Sequence, residues 1–417
     1  MKGRCGVRRR SVWKKLFGLR RAVVEDVWLE EDGSLVLAVR PAARECDRCP
    51  LCRRRCPGYD WGEGRRRWRA LDLGTTFAYL QAEAPRVSCR RHGVLVAAVP
   101  WARHDSNFTR SFEDQVSWLA VQTSKTAVSQ LMRIAWRTVG WICERVMAEE
   151  TATRDLFAGL KRIGVDEISI RKGQRYLTVV VDHDSGRLVW AAPGRDRKTV
   201  EQFLQLLGKE RCQQIKLVSC DMASWITGPV AERCPNASVC YDPFHLVQLA
   251  TDALDEIRRE VWNEARRQGQ QQLARELKGA RFALWKNPAN LTERQQLKLA
   301  RVQKLNQRLY RAYLISQQLR EIYRVPLEHA IILLDGWLRW ARRCRLEPFV
   351  KLAKTITQQR SGIEAAIRHG LSNARVEQVN TQLRLITRRA FGFHSPHAVI
   401  ALAMLSLGGL CPPLPAR

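Results

Sequence analysis

The chain has few acidic side chains for its size and no long apolar run. Its 417 residues include 71 Lys and Arg but 41 Asp and Glu, a formal net charge of +30. No segment reaches the roughly 18 consecutive apolar residues that a membrane-spanning helix needs. The basic N-terminus is not followed by an apolar signal core. We therefore expect a cytoplasmic protein with no membrane partner.

Apolar residues and arginine make up much of the chain instead. A hydrophobic share of 45% is enough to bury real cores and excludes a disordered polycation. The excess of cationic side chains favours a polyanionic partner such as nucleic acid. Arginine outnumbers lysine, which suits forked contacts with phosphate. A GC-rich genome, which encodes arginine readily, is the alternative explanation of this composition.

Because acidic residues are scarce, the two that directly follow apolar strand patterns are informative. Asp166 follows the run 163–165, and Asp221 follows the run 215–220. An ionised carboxylate at the end of a buried strand is costly unless a cation compensates it. Converging carboxylates usually hold a hard cation, most often Mg²⁺. On a basic chain this pattern predicts phosphodiester chemistry on DNA.

A third acid, Glu377, lies in a stretch with helical character, 373–380. Each of the three acids has a simpler explanation. Strand alternation turns either Asp166 or its neighbour Glu167 inward, and we favour Asp166. Asp221 could cap the following helix, and Glu377 could pair with a basic neighbour on its own helix.

The segment between 161 and 241 alternates between strand and helix patterns. Strands are predicted at 161–170, 175–182 and 187–192, with the last two joined by a turn, and then at 215–220 and 238–241. Helices are predicted at 199–207 and around 225–231. Three hairpin-linked strands, a helix and further parallel strands is the order of an RNase H-like core. A generic α/β domain is the competing interpretation.

Asp242 and His245 follow the last of these strands directly. Asp242 is either a fourth acidic contact near the metal ions or the cap of a helix that begins near Pro243. We favour the cap. His245 is interpreted as a core residue or as a residue that supports the ligands, rather than as a ligand.

Cysteines cluster near the N-terminus in pairs with two intervening residues. Cys49 with Cys52, and Cys89 with His92, predict a tetrahedral Cys₃His zinc site in which every position is filled, so that the metal is structural. Cys46 and Cys49 form a second pair with the same spacing, which leaves open whether Cys46 or Cys52 is a ligand. Thiols that bind no metal are the alternative interpretation.

Cationic residues surround a tryptophan next to the cysteine pairs. Arg65, Arg66, Arg67 and Arg69 flank Trp68, and this mixture suits contact with the DNA backbone. A solvated basic face is the alternative interpretation of this run.

Residues 126–142 have the apolar spacing of two helices joined by a turn. Val128 and Leu131 are predicted to fill the core between the helices, and Thr138 to cap the second one. In a helix-turn-helix the second helix enters the major groove, so Arg137 and Thr138 are predicted to contact DNA. A plain three-helix packing unit is the alternative, because any amphipathic helix pair shows similar periodicity.

Four blocks of the sequence resemble the signature blocks of bacterial insertion-sequence DDE transposases of the ISL3 family. They are 164–167 (GVDE), 219–222 (SCDM), 241–245 (YDPFH) and 372–380 (SNARVEQVN). The resemblance implies that Asp166, Asp221 and Glu377 are catalytic and bind two Mg²⁺ or Mn²⁺ ions. It also implies a homodimer or higher oligomer that binds terminal inverted repeats, cleaves the DNA strands and transfers them to target DNA at the bacterial nucleoid.

The full prediction is a multidomain α/β protein with an RNase H-like catalytic core. Its parts are a zinc-binding N-terminal domain (1–105), a helix-turn-helix (106–152), the first part of the core (158–250), a helical insertion (251–360) and the second part of the core with its Glu (361–410). A non-catalytic DNA-binding regulator derived from a transposase, or a structure-selective nuclease on the same fold, is the alternative function.

Overall fold

The computed structural model describes residues 9–171 and 175–414 and divides into two compact units. Unit 1 comprises Met1–Leu156 and Leu383–Arg417, and unit 2 comprises Phe157–Gln382. Among the described residues, no helix combines the length and the apolar character that crossing a membrane requires.

Unit 1 begins with two small antiparallel-rich sheets. One has the strand order β1-β2-β5-β4 and the other β3-β6-β7. The strands are β1 (Ala22–Leu29), β2 (Leu35–Pro41), β3 (Gly58–Asp60), β4 (Arg65–Arg69), β5 (Ala78–Glu83), β6 (Arg86–Cys89) and β7 (Gly93–Val96). Alternate residues of β5 are buried, which is the pattern of a strand with one face on a core, whereas β2 buries three successive residues at its start.

Unit 1 has one helix before its strands and four complete ones after them in the described part of the chain. They are α1 (Arg9–Leu16), α2 (Arg110–Gln122), α3 (Lys125–Leu131), α4 (Trp136–Thr153) and α17 (Pro396–Leu407). Helix α17 is apolar around its whole circumference and packs on α2 and α4, so it is a buried helix of this unit.

Unit 2 is built on a five-stranded mixed sheet with the order β10-β9-β8-β11-β12. Its strands are β8 (Arg162–Arg171), β9 (Arg175–Asp182), β10 (Leu188–Pro193), β11 (Leu217–Cys220) and β12 (Ser238–Tyr241). The first three are antiparallel, and β11 is parallel to both β8 and β12. Three antiparallel strands, a helix and then parallel strands is the succession of elements predicted for an RNase H-like core.

The remaining helices of unit 2 pack on this sheet or follow it in a helical block. They are α5 (Arg197–Leu207), α6 (Lys209–Gln214), α7 (Ser224–Arg233), α8 (Pro243–Arg267), α9 (Gln271–Gly279), α10 (Arg281–Trp285), α11 (Glu293–Leu305), α12 (Gln307–Glu321), α13 (Leu327–Arg343), α14 (Glu347–Gln358) and α15 (Arg360–His369). Helix α16 (Ala374–Arg389) belongs to unit 2 as far as Gln382 and to unit 1 from Leu383. One apolar core runs from the sheet into the helices as far as α15.

The predicted fold class is confirmed, but two details of the predicted helix pair are wrong. Leu131 is 64% exposed, and Met132 is buried in its place because the helix ends there. Thr138 is the third residue of α4 and does not cap it; Ala135 occupies that position and makes no side-chain capping bond. Val128 is fully buried, as predicted.

Candidate active site and zinc centre

The register of three parallel strand ends brings three acidic residues into one row. Gly164 of β8 is paired with Ser219 of β11, so Asp166 and Asp221 stand level two residues further on. Cys220 is paired with Tyr241 of β12, which places Asp242 level with Asp221. Carboxyl ends of neighbouring parallel strands share one sheet edge, which explains how residues far apart in the chain meet.

The structure groups oxygen and nitrogen ligands tightly at this edge. Ligand atoms of Asp166, Glu167 and Asp221 all lie within 4.8 Å of one another, as do those of Asp221, Asp242 and His245. We call these five residues the acidic cluster. Both neighbours, which lie in the middle of β8, therefore reach the cluster, although alternation predicted that one would turn away.

The Asp166 carboxyl is the most strongly perturbed acid of the cluster. Burial, and after it the nearby Asp221 carboxylate, raise its pKa to about 7. Its Oδ2 accepts a 2.8 Å hydrogen bond from Nδ2 of Asn380. Burial also raises the pKa of Glu167, whose Oε1 forms a 2.8 Å ion pair with Nε of Arg195. Protein cations thus compensate Glu167 more directly than Asp166.

Asp221 faces His245 rather than capping a helix. His245 Nε2 lies 2.8 Å from Asp221 Oδ1, and this contact is the main cause of a raised His245 pKa. The two atoms are at ion-pair distance without the direction of a hydrogen bond, so Oδ1 has no hydrogen-bond donor within the described part of the chain. Helix α7 begins after Ala223 and receives no side-chain cap from Asp221.

Asp242 holds the N-cap position of α8, but its side chain makes no capping bond with that helix. Its Oδ1 accepts a 3.1 Å hydrogen bond from the backbone N–H of Asn373 instead. Its Oδ2 is buried and has no hydrogen-bond partner among the described residues, and burial raises its pKa. The capping prediction is therefore wrong for the side chain, and Asp242 faces the acidic cluster.

The chemistry of these residues fits a hard divalent cation. Two buried carboxylate oxygens, Asp221 Oδ1 and Asp242 Oδ2, lack donors, and an uncompensated buried carboxylate is costly. Oxygen ligands from several carboxylates at one point are what Mg²⁺ and Mn²⁺ take. In the described structure, His245 supplies the positive charge nearest to Asp221.

Glu377 lies on the helix beside this edge but outside the tight group. It is exposed in the first turn of α16, and its carboxylate is not among the ligand atoms that meet within 4.8 Å in the described residues. Asn373 and Asn380, four residues before it and three after it, both contact acids of the cluster. Glu377 therefore shares the helix face that is turned to the cluster.

The four predicted zinc ligands meet in unit 1. The Cys49 and Cys89 sulfurs lie 3.5 and 3.6 Å from His92 Nδ1, and the Cys52 and Cys89 sulfurs are 3.8 Å apart. Roughly 3.8 Å is the sulfur–sulfur edge of a tetrahedron with 2.3 Å zinc–sulfur bonds. A hydrogen bond from the backbone N–H of Arg91 is the main cause that lowers the Cys89 pKa to about 6, which favours the ligating thiolate.

Cys46, the competing zinc ligand, contacts other atoms. Its sulfur lies 3.6 Å from the carbonyl oxygen of Ala42 and outside the four-ligand group. The geometry therefore favours Cys52 over Cys46.

The predicted DNA-contacting arginines of β4 already have protein partners. Arg65 pairs with Glu83 at 2.9 Å, and Arg67 reaches both carboxylate oxygens of Glu30. Both side chains remain about half exposed or more.

Arg66 and Arg69 differ from those two in exposure. Arg66 donates to Asn107 Oδ1 at 2.7 Å and is partly exposed. Arg69 is 11% exposed, pairs with Asp72 and lies over the Phe77 ring at 4.2 Å. Arg69 therefore contributes to packing in this structure, whereas Arg65, Arg66 and Arg67 keep accessible surface.

A buried ion-pair network supports the helices of unit 1. Glu113 on α2 is fully buried and accepts from Arg103, from Arg145 and from Ser106 Oγ. Arg103 also reaches Glu149 on α4 at 2.7 Å. These contacts join the segment before α2 to two helices, while Arg137 in the first turn of α4 stays exposed and Thr138 is partly buried.

Glu113→Ala is expected to lower the free energy of unfolding by about 1–3 kcal/mol, because it removes the buried acceptor of Arg145 and Ser106, while Arg103 keeps its pairs with Asp114 and Glu149. Chemical denaturation followed by tryptophan fluorescence measures this loss. Glu31→Ala, which removes an exposed carboxylate from the same unit, is the control and should stay within about 0.5 kcal/mol of the parent. Equal stability of the two variants would contradict a structural role for the network.

Four buried polar residues near the acidic cluster were not recognised in the sequence. They are His183, Ser219, Asn373 and Asn380. His183 directly follows strand β9. Ser219 interrupts an apolar strand, and the two asparagines lie seven residues apart in a helical stretch. The sequence did contain a signal for these residues: each is polar at a position where the apolar periodicity predicts a buried side chain.

Three family models match successive parts of the chain. The zinc finger of transposases IS204, IS1001, IS1096 and IS1165 matches residues 46–92. The helix-turn-helix domain of transposase family ISL3 matches residues 97–147, and the ISL3 transposase model matches residues 163–403. Together with the sheet and the acidic cluster, these matches define a transposase with an N-terminal zinc ribbon and a helix-turn-helix.

Curated relatives agree with these matches over almost the whole chain. The transposase for insertion sequence element IS1557 of two Mycobacterium tuberculosis strains, CDC 1551 and H37Rv, is 52% identical over 432 residues and 97% of both proteins. The transposase for insertion sequence element IS1001 of Bordetella parapertussis is 27% identical over 390 residues, 92% of this chain and 95% of that protein. The chain belongs to the ISL3 family of DNA transposases, as its sequence motifs predicted.

Proposed function

We propose that this transposase is a DDE-type enzyme that cuts the ends of an insertion sequence and joins them to target DNA. The observation that carries the proposal is the row of Asp166, Asp221 and Asp242 at one sheet edge, with two of their buried oxygens lacking donors. Family membership supports DNA as the substrate. The net charge of +30 supports the same conclusion.

In this proposal Asp166 and Asp221 are the central metal ligands and Glu377 completes the set. A pair of Mg²⁺ or Mn²⁺ ions supplies activation of the attacking oxygen and stabilisation of the departing one in an in-line displacement. Asp221 lies between Asp166 and Asp242 in the row, so it would be the central ligand of the set. Glu377 is exposed on α16 beside the cluster, and its carboxylate would complete the ligand set.

Two displacements at phosphorus account for the reaction. In the first, a water oxygen bonds to phosphorus at the element's end, the bond from phosphorus to the 3′-oxygen breaks, and that oxygen takes up the proton released by the water to become a 3′-hydroxyl. In the second, the 3′-hydroxyl oxygen bonds to a target phosphorus and displaces the target's own 3′-oxygen, which takes up the proton that the hydroxyl releases. The carboxylates of the acidic cluster would hold the cations that neutralise each scissile phosphate.

The N-terminal parts of unit 1 are proposed to hold the DNA ends. Cys49, Cys52, Cys89 and His92 would bind one structural zinc ion, which the zinc-ribbon match supports. Helix α4 would enter the major groove with Arg137 and Thr138 near its start, as the helix-turn-helix match supports.

The accessible arginines of β4 would contact phosphates next to these elements. Because both ends of an element must be held together, we propose a homodimer or higher oligomer that acts on DNA in the bacterial cytoplasm.

The test uses the purified full-length chain and DNA fragments from the two ends of the element that carries its gene. With Mg²⁺ we expect strand cleavage at the fragment ends and joining of the freed ends to a target plasmid. If the protein binds the DNA ends without cleaving them, the proposal is wrong and the protein is a DNA-binding regulator. If the protein cuts DNA without sequence preference and does not join the ends to target DNA, it is a nuclease.

A further inference from the structure

Helix α16 lies unusually close to the sheet at the point where it carries Glu377. A Cβ atom added at Gly164 would lie 2.2 Å from Val376 Cγ2, which is too close for any side chain there. The same position would lie 2.9 Å from His183 Nε2 and 3.0 Å from Ser219 Oγ. Glycine is therefore needed at this point of β8 because the helix packs so close to the strand, and not because of the backbone dihedral angle.

A chain of buried hydrogen bonds anchors the start of α16 to the sheet. His183 Nε2 and Ser219 Oγ are 2.7 Å apart, and the Ser219 hydroxyl donates to Asn373 Oδ1. The hydroxyl has one proton, so the imidazole donates to it through Nε2–H. Burial is the main cause that lowers the His183 pKa to about 4. The backbone N–H of Asn373 then donates to Asp242.

A second anchor lies two turns further along the same helix. Asn380 is 2% exposed, and its Nδ2 donates to Asp166 Oδ2 at 2.8 Å. The two asparagines bracket Glu377 on one helix face, so both anchors restrict the translation and the rotation of the residue between them. A helix held by packing alone would need neither of these buried polar contacts. Buried polar groups cost free energy wherever they lack a hydrogen-bond partner.

We propose that Asn373 and Asn380 are positioning residues that hold the helix carrying Glu377 against the acidic cluster. The inference rests on the proposed function of that cluster. Asn380 in addition orients the Asp166 carboxylate. Its amide N–H donates to Oδ2, while the backbone N–H of Glu167 donates to Oδ1 at 2.8 Å, so the two bonds fix the carboxylate between them. Neither asparagine touches substrate in this assignment, so neither is a catalytic residue.

Asn380→Leu in the full-length transposase tests the second anchor. Loss of a partner that orients a metal ligand typically costs 10–100-fold in metal affinity or activity. We expect cleavage of terminal-repeat DNA to fall by about 10–100-fold, and the Mg²⁺ concentration that gives half-maximal cleavage to rise by about the same order. DNA binding without metal should stay at the parent level.

Gln378→Leu is the matched control, because it removes an exposed amide from the same helix beside Glu377. Its cleavage rate and its metal dependence should equal those of the parent. A purely structural role for Asn380 predicts a lower melting temperature with an unchanged half-saturating Mg²⁺ concentration, and that result would overturn the inference.

Ser219→Ala tests the first anchor without placing a larger side chain in the core. It removes the hydroxyl that links His183 to Asn373, and we expect the same shift in metal dependence. If Asn380→Leu does not fold, the metal dependence of Ser219→Ala alone tests whether the anchors position the helix. An inactive parent protein would refute the proposed function, whereas an active parent with two variants of unchanged metal dependence would refute the positioning role alone.

Discussion

Asp221→Asn is expected to abolish DNA cleavage while leaving binding to the element's ends intact. The residue lies between Asp166 and Asp242 in the row of strand ends, and its buried Oδ1 has no hydrogen-bond donor in the described structure. An amide keeps the shape but removes the charge that a metal ion needs. Metal ions contribute several kcal/mol to such displacements, and about 4 kcal/mol corresponds to a thousandfold loss of rate.

The measurement is cleavage of end-labelled terminal DNA, with a gel-shift assay of the same protein for binding. A second readout is the rise in melting temperature on adding Mg²⁺, which the parent should show and the variant should lose. Asp252→Asn, an exposed carboxylate of α8 in the same unit, is the control. Retained cutting by Asp221→Asn would remove Asp221 from the metal site.

Removal of zinc is expected to unfold the zinc ribbon, residues 46–92, and to eliminate binding to the element's ends. Zinc binding contributes about 10–16 kcal/mol in isolated finger peptides at neutral pH, more than a small sheet unit can supply from its own core. Cys52→Ser should have the same effect as a chelator, because it deletes one of the four ligands that meet in space. Elemental analysis and a gel-shift assay measure the two consequences.

Cys46→Ser is the matched control for this experiment. The residue lies in the same segment and belongs to the competing sequence pair, but its sulfur contacts the Ala42 carbonyl oxygen. We expect the variant to keep one zinc ion per chain and to bind DNA like the parent. A variant that lost zinc while Cys52→Ser kept it would reverse the assignment of the ligands.

Much of the fold was predictable because local patterns recorded it. Strands β9 and β12 were predicted at their observed bounds, and the other three strands of the sheet within about two residues, because apolar runs and turn residues separate them clearly. The zinc ligands were also predictable from spacing. Two intervening residues place paired ligands on one side of a tight turn.

The errors arose where a residue's environment depends on distant segments. Leu131 has an apolar side chain at a helical spacing, yet the helix ends beside it and the next residue is buried. Asp242 precedes a helix that begins with proline, which is the usual position of a capping residue. Its carboxylate instead accepts a hydrogen bond from the N–H of Asn373, 131 residues away in the sequence. Arg69 belongs to an arginine run and is nonetheless buried against Phe77.

The sequence alone predicted the family, the succession of strands and helices in the core, the pair of zinc ligands Cys89 and His92, and the acids Asp166 and Asp221, because each of these is recorded in neighbouring residues. Tertiary structure decided between Cys46 and Cys52 and decided which side chains face one another across the sheet edge. The parallel register set Asp166, Asp221 and Asp242 in one row, and Gly164 left room for α16 beside it. Such relations depend on the packing of segments that are distant in the sequence, which no local periodicity encodes.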